Sequence, residues 1–452
     1  MPRLIAATRQ LSGALALLLL PSLASAHTSL RRSAPARGSR LSVPPTRIAL
    51  WFTARPQLGF SRIRLVGPFG DVPLDRLVAD TGNAIYANIP GTLSAGQYTV
   101  EWQTASADGH AIRGEIAFAV LGAAQSLPGA TPTVPEQHAP EPEAQAGDTE
   151  YHTARWMEFA ALLTVLGALG FRHGVLPPLA ARGVPTFEAG ERARRIGQSA
   201  LAVYAIASVI RLYTESLAVH GTDRALDPAE VLAMVTATTW GIGWLSGVVG
   251  ATLLLVGWIV TRQSTTIGTP LALAGALAMV LSPALSGHAA ASQHAVISVT
   301  LDVIHVTAAG VWLGGLLIVL VAGLPAMRRL PNGDRDAAVG SLVNSFHPVA
   351  LFCAPIVVLA GLGTSWLRLA SVSNIWPTEY GRNLLWKIAW VLIVASMGMY
   401  NSMRARRRLG SAEATTHFRR TATLELLFAS VVLAVTTVLV TTPVPSEMAG
   451  LP

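Results

Sequence analysis

Two hydrophobic patterns divide the chain. Between residue 28 and about residue 121, apolar and polar positions alternate, as in Ile48, Leu50, Phe52 and in Tyr98, Val100, Trp102, with turn formers at Gly67-Pro68, Gly70-Asp71 and Gly82-Asn83 between the runs. A period of two sends successive side chains to opposite faces of a strand, so this stretch predicts about seven short strands in a small β-sandwich or barrel. From Trp156 onward the apolar runs become continuous, near 155–175, 196–219, 238–261, 267–286, 297–326, 346–369, 382–403 and 421–442. A helix crosses a bilayer with about 20 such residues, so about eight spans are predicted, with a short extra helix at 228–237. The fold class is multi-domain: an all-β sandwich followed by an all-α, multi-span membrane bundle.

The segments flanking the β-region read differently. Arg3 and Arg9, the apolar stretch Leu11 to Leu20 and the small residues Ala24-Ser25-Ala26 form a secretory signal, residues 1–26, whose cleavage leaves His27 as the first residue. Residues 122–152 interleave Pro128, Pro132, Pro135, Pro140 and Pro142 with Glu, Gln and Ala, the composition of an extended tether. The expected domains are therefore 27–121 and 153–445.

Composition narrows the class. Of 452 residues, 51% are hydrophobic and 13% charged, too apolar for an ordinary soluble protein of this length. The net charge of +8 does not form a nucleic-acid-binding face, because the arginines sit in clusters between apolar runs. Arg192, Arg194 and Arg195, Arg328 and Arg329, and Arg406, Arg407 and Arg408 all fall in loops on one side of the membrane. The positive-inside rule makes that side cytoplasmic and places the β-domain outside, periplasmic in a bacterial inner membrane. Cys353 is the single cysteine, which rules out an intrachain disulfide and a CxxC site. No GxxxxGK[ST] loop is present, so an ATP-driven pump is not expected, and neither a nucleotide nor a catalytic role is read from the chain.

An N-terminal histidine offers an α-amine and an imidazole on one residue, a chelate suited to the tetragonal, nitrogen-rich preference of copper(II). Asp108 and His110, two apart around Gly109, can face one side and complete the ligand set with His27. Here the chain resembles the CopC family of periplasmic copper-binding proteins over almost all of residues 27–121. The likeness rests on Ala26-His27, Ser33-Ala34-Pro35, the run Gly96 to Trp102, and Ser106 to His110 with Gly114 and Phe118 after it. It implies a cupredoxin-like or Ig-like barrel in which His27, Asp108 and His110 hold one copper(II). The domain lacks the methionines of a copper(I) site and the cysteine of a blue-copper centre.

Ionisable residues inside spans are expensive and point to function. Asp302 and His305 lie three apart on the fifth span, on one helix face. His220, His288 and His294 gather at the same outer end, where a carrier would release copper. Toward the inner side, His173, His347 and Cys353 form a speculative exit suited to copper(I). Arg211 and Glu215, four apart on the second span, read as an ion pair that locks helices. Over roughly residues 155–442 the chain resembles the CopD family of copper-resistance membrane proteins. Ser286 to Ala290, Leu301-Asp302 with His305, Val311 to Gly315, Tyr380-Gly381-Arg382 with Lys387, Asn401 and Glu425 carry that likeness. It implies copper uptake across the inner membrane, with copper and lipid as partners. The rival readings are a membrane redox protein with haem b between paired imidazoles, and a copper sensor or scaffold that moves nothing.

Overall fold

In the computed structural model the described residues are 30–52, 56, 58–80, 83–105, 111–121, 148–292, 294–331, 333–405, 411–442 and 444–445. The signal, His27, residues 106–110 with Asp108 and His110, and most of the tether lie outside them.

Alternation in the first region becomes two sheets. One has the strand order β1 (Leu30–Ala34), β3 (Arg47–Phe52), β7 (Ala84–Asn88), β6 (Val78–Ala79). The other runs β2 (Arg40–Leu41), β9 (Ala111–Val120), β8 (Gly96–Ala105), β4 (Arg62–Gly67), β5 (Gly70–Val72). All pairs are antiparallel except β2 with β9. The inward positions Ile48, Leu50 and Phe52 of one sheet and Leu65, Val100, Trp102, Ile116 and Phe118 of the other form one buried core, which makes the domain a sandwich. Phe52 meets Trp102 edge-on at 5.2 Å. Opposite Trp102 stands Gly114, where a Cβ would lie 2.6 Å from the indole, so the large ring is accommodated only because its cross-strand partner has no side chain.

Among the described residues eight helices are long and apolar enough to cross a membrane. They are α1 (Thr149–Ala180), α2 (Phe187–His220), α4 (Thr239–Val260), α5 (Thr265–Leu285), α7 (Ala295–Met327), α8 (Arg335–Leu369), α9 (Glu379–Met403) and α10 (Glu413–Leu439). Two short helices interrupt the series, α3 (Pro228–Ala237) and α6 (His288–Ala291). Small residues bring helices close: a Cβ at Gly167 or Gly314 would strike the facing backbone of α7 or α1. Gly250 and Gly275 do the same between α4 and α5. With no hydrophobic drive between helices in lipid, such close approach is what holds a bundle together. Single π-turns break α1 at Phe171–Val175, α7 at Gly310–Gly314 and Val319–Gly323, and the end of α9 at Asn401–Ala405.

Candidate metal-handling site

The β-domain sits on the end of the bundle where α2 finishes and α4 begins. Phe60, in a 3-10 turn ahead of β4, is buried with Val219, Met234 and Trp240 of α2, α3 and α4. Arg62 donates to Glu230 of α3 at 2.6 Å, and Arg224 pairs with the same carboxylate. The exposures of the Arg62 and Glu230 side chains, 44% and 22%, limit that ion pair to about 0.5–1 kcal/mol. Burying an aromatic ring is worth about 2 kcal/mol, so Phe60 is the stronger anchor and Arg62 sets orientation.

Docking also fixes which edge of the sandwich faces the membrane. Ser61 and Thr104 share a 2.6 Å hydroxyl contact, and Arg62 pairs in register with Gln103, so the ends of β8 and β9 at Ala105 and Ala111 share the Phe60 edge. These are the strand ends that flank residues 106–110. His220, the last residue of α2, lies on this side too. Its Nε2 is 3.6 Å from Glu230, and its Nδ1 is 3.1 Å from the Ser216 hydroxyl. That hydroxyl donates its proton to the Ala225 carbonyl, so Nδ1 carries the hydrogen and Nε2 is the atom presented to Glu230.

Asp302 and His305 turn to one neighbour, α8. The Asp302 carboxylate accepts 2.6 Å from Arg368 and 3.4 Å from Thr364. His305 Nδ1 lies 2.9 Å from the Val357 carbonyl, which can only accept, so Nδ1 carries a hydrogen. Gly361 gives the ring its space, since a Cβ there would stand 3.1 Å from Cε1. A carbonyl that fixes one imidazole nitrogen while the other faces a ligand is the arrangement found around metal-binding histidines. Tyr380 and Lys387 of α9 lie within electrostatic reach of Asp302 and Arg368. Asp302 is thus an ion-pair partner of Arg368, while His305 is held through Nδ1 by the Val357 carbonyl.

His294 is exposed ahead of α7, and His288 opens α6. Among the described residues no three His, Cys, Asp or Glu side chains gather at metal-binding distance. On the opposite side His347 lies 3.3 Å from Ser402, whereas Cys353 is buried with Phe346 and Val357, and His173 is exposed. Six residues of helix turn through about 600°, which points His347 and Cys353 to different faces. The Arg211 guanidinium reaches Glu158 of α1 at 3.0 Å, a partner across helices that single-helix spacing does not reveal. Ser208 and Ser286 complete that buried network. Glu230 and Arg368 were also missed by sequence reasoning. An acidic residue on a non-spanning helix and an arginine in a span's last turn were the available signals.

Three family profiles match consecutive parts of the chain: CopC domain at residues 30–121, Copper resistance protein D-like, N-terminal domain at 147–297, and Copper resistance protein D at 340–439. The Bacillus subtilis Copper transport protein CutJ is 25% identical over 445 residues, covering 96% of this chain and 78% of CutJ. Protein YobA of Escherichia coli is 31% identical over 99 residues, covering 21% of this chain and 79% of YobA. Among solved structures, PcoC, a methionine-rich copper resistance protein from Escherichia coli, has 27% identity and a TM-score of 0.20, covering 21% of this chain and all of PcoC.

Proposed function

Since the chain belongs to the copper-resistance proteins in which a CopC domain precedes a CopD membrane domain, we propose that it captures copper outside the cell and moves it inward across the plasma membrane. His27, through amine and imidazole, binds copper(II) with Asp108 and His110 in the periplasmic domain. The ion then passes to His220 and the neighbouring His288 and His294, and enters the bundle at His305. Asp302 supplies the negative charge that draws it there, once Arg368 shifts.

The observation that carries this reading is the docking: Phe60 and the Arg62 to Glu230 pair turn the ends of β8 and β9 toward the side of the bundle that holds His220. A capture domain that were only a periplasmic buffer would have no need of that orientation. Copper accumulation, measured in washed cells producing the full chain or the chain without residues 27–121, tests the reading. Accumulation should be highest with the full chain at low external copper, and equal accumulation with and without the β-domain would overturn delivery.

A further inference from the structure

Glu425 stands about 6 Å past Thr421, inside the apolar part of α10 near its inner end, one turn beyond the exposed Arg419 and Arg420, with 2% exposure. Its protein hydrogen bond comes from Asn401 Nδ2 at 2.8 Å, and Asn401 in turn accepts from the Thr421 hydroxyl at 2.5 Å. Asn401 opens the π-turn that ends α9, a local irregularity that recurs at functional positions. Gly398 leaves room for the carboxyl, since a Cβ there would lie 3.1 Å from Oε1 and 3.5 Å from the Trp312 ring.

Among the described residues no cation pairs with Glu425. On the helices packed against α10, Glu158 of α1 is bonded to Ser208 and Arg211, and Asp302 of α7 to Arg368. His305 of α7 bonds to Val357, and His347 of α8 to Ser402. On α9, Tyr400 bonds to His417 at 3.0 Å, and Lys387 faces Asp302 and Arg368. Ionisable residues within spanning segments are costly and commonly mark ion pathways or proton relays.

The way out is on the side away from the β-domain. Thr421 lines a mostly apolar crevice of about 380 Å³ together with Leu392, Ile393, Ser396, Met397 and Tyr400 of α9, of which Thr421, Ser396 and Tyr400 are the polar members. His417, one turn nearer the end of α10, holds the Tyr400 hydroxyl. A polar series therefore runs from Glu425 through Asn401 and Thr421 to the crevice, and on through Tyr400 to His417.

We propose that Glu425 is a proton-binding site in the membrane-spanning part of α10, open to the side away from the β-domain through Asn401, Thr421 and this crevice, and that its proton traffic is coupled to copper movement. The carboxyl O–H bond breaks, water in the crevice takes the proton, and the proton leaves past His417. Coupling rests on the transport reading above, whereas proton binding does not.

Two measurements on the full-length protein separate them. Dicyclohexylcarbodiimide adds to protonated carboxyls in apolar surroundings and leaves a stable N-acylurea that peptide mass spectrometry locates. Glu425 in the unaltered protein should be labelled, and labelling should fall as pH rises; no label at Glu425 overturns the proton site. In copper-loaded proteoliposomes, one proton per copper ion means that a gradient of about one pH unit shifts the copper distribution about tenfold. Gradients of opposite sign should move it in opposite directions, Glu425→Asp should keep the response, and Glu425→Gln should lose it. A Glu425→Gln protein that still follows the gradient overturns the coupling. Labelled Glu425 in a protein that moves no copper upholds the proton site and instead removes the transport reading.

Discussion

Arg368 of α8 holds Asp302 of α7 with a 2.6 Å hydrogen bond, although sequence spacing pairs Asp302 with His305. Arg368 occupies Asp302 Oδ2, and the guanidinium charge beside it opposes any cation, so on the proposed route copper reaches Asp302 once Arg368 shifts. On the proposed route His305 needs no such exchange, because the Val357 carbonyl engages only its Nδ1.

Removing one member of the ion pair should therefore harm the protein more than removing both. Arg368→Ala leaves a partly buried carboxylate uncompensated, and with both side chains 15–20% exposed the loss is about 2 kcal/mol, below the range for fully buried pairs. The thermal midpoint in detergent should drop for Arg368→Ala and recover for Arg368→Gln combined with Asp302→Asn. If the double variant is as unstable as the single one, the pair is not what stabilises this part of the bundle. Cells with the double variant should still fail to accumulate copper.

His305→Ala separates ligation from packing in a different way. The ring lies against Gly361, so truncation opens a small gap that Gly361→Ala can partly refill. Membrane protein level should stay near normal in the pair of substitutions, while copper accumulation is lost. Normal level with normal accumulation would take His305 out of the copper route.

The architecture was legible because its signals are local. Alternation at Ile48, Leu50 and Phe52 marks a strand wherever it occurs, and each apolar run long enough to cross a bilayer became a helix. Nine strands stand where about seven were expected, because Arg40–Leu41 and Val78–Ala79 are too short to carry a period. Partners across helices were not legible. Arg211 has Glu215 four residues on, and helical spacing favours that pair, but the ion pair at 3.0 Å goes to Glu158, 53 residues away in the chain. Glu230 is similar: its role depends on where Phe60 and Arg62 land, which only the docked sandwich reveals.

Docking can be loosened by two substitutions of unequal effect. Arg62→Glu opposes Glu230 with like charge and removes an exposed pair, a change of about 1 kcal/mol. Phe60→Ser removes the buried ring and should cost about 2 kcal/mol. Hydrogen exchange of the backbone amides in 58–62 and 228–234 should quicken in both variants, more in Phe60→Ser, with β-sandwich core amides unchanged. Exchange at 228–234 that does not respond to either change would show that the two parts do not hold each other. Combining Arg62→Glu with Glu230→Arg restores attraction between those two positions but opposes Arg224, so protection should return only in part.

The capture site is tested at the end of the chain. If cleavage after Ala26 frees the His27 amine, amine and imidazole close one chelate ring around copper(II), and Asp108 and His110 supply the remaining ligands. Adding a single residue before His27 turns the amine into an amide and moves the new amine out of the ring, so copper(II) affinity should fall by orders of magnitude while the sandwich stays folded. Protons compete for the same nitrogens. Imidazole and amine ligate only when deprotonated, so affinity falls as pH drops through the free amine value of about 7.7–8.0 and further through the free histidine value of about 6.5. The aspartate, with a free value of about 3.9, adds no dependence until far lower pH. Titrating the full-length protein with copper(II) at about pH 7.5, 6.5 and 5.5 should show the decline in the native chain. In the extended chain the weaker binding should lose the contribution of the amine. Affinity unchanged by the added residue would exclude His27 as the anchoring ligand, and affinity flat across that pH range would exclude nitrogen ligation altogether.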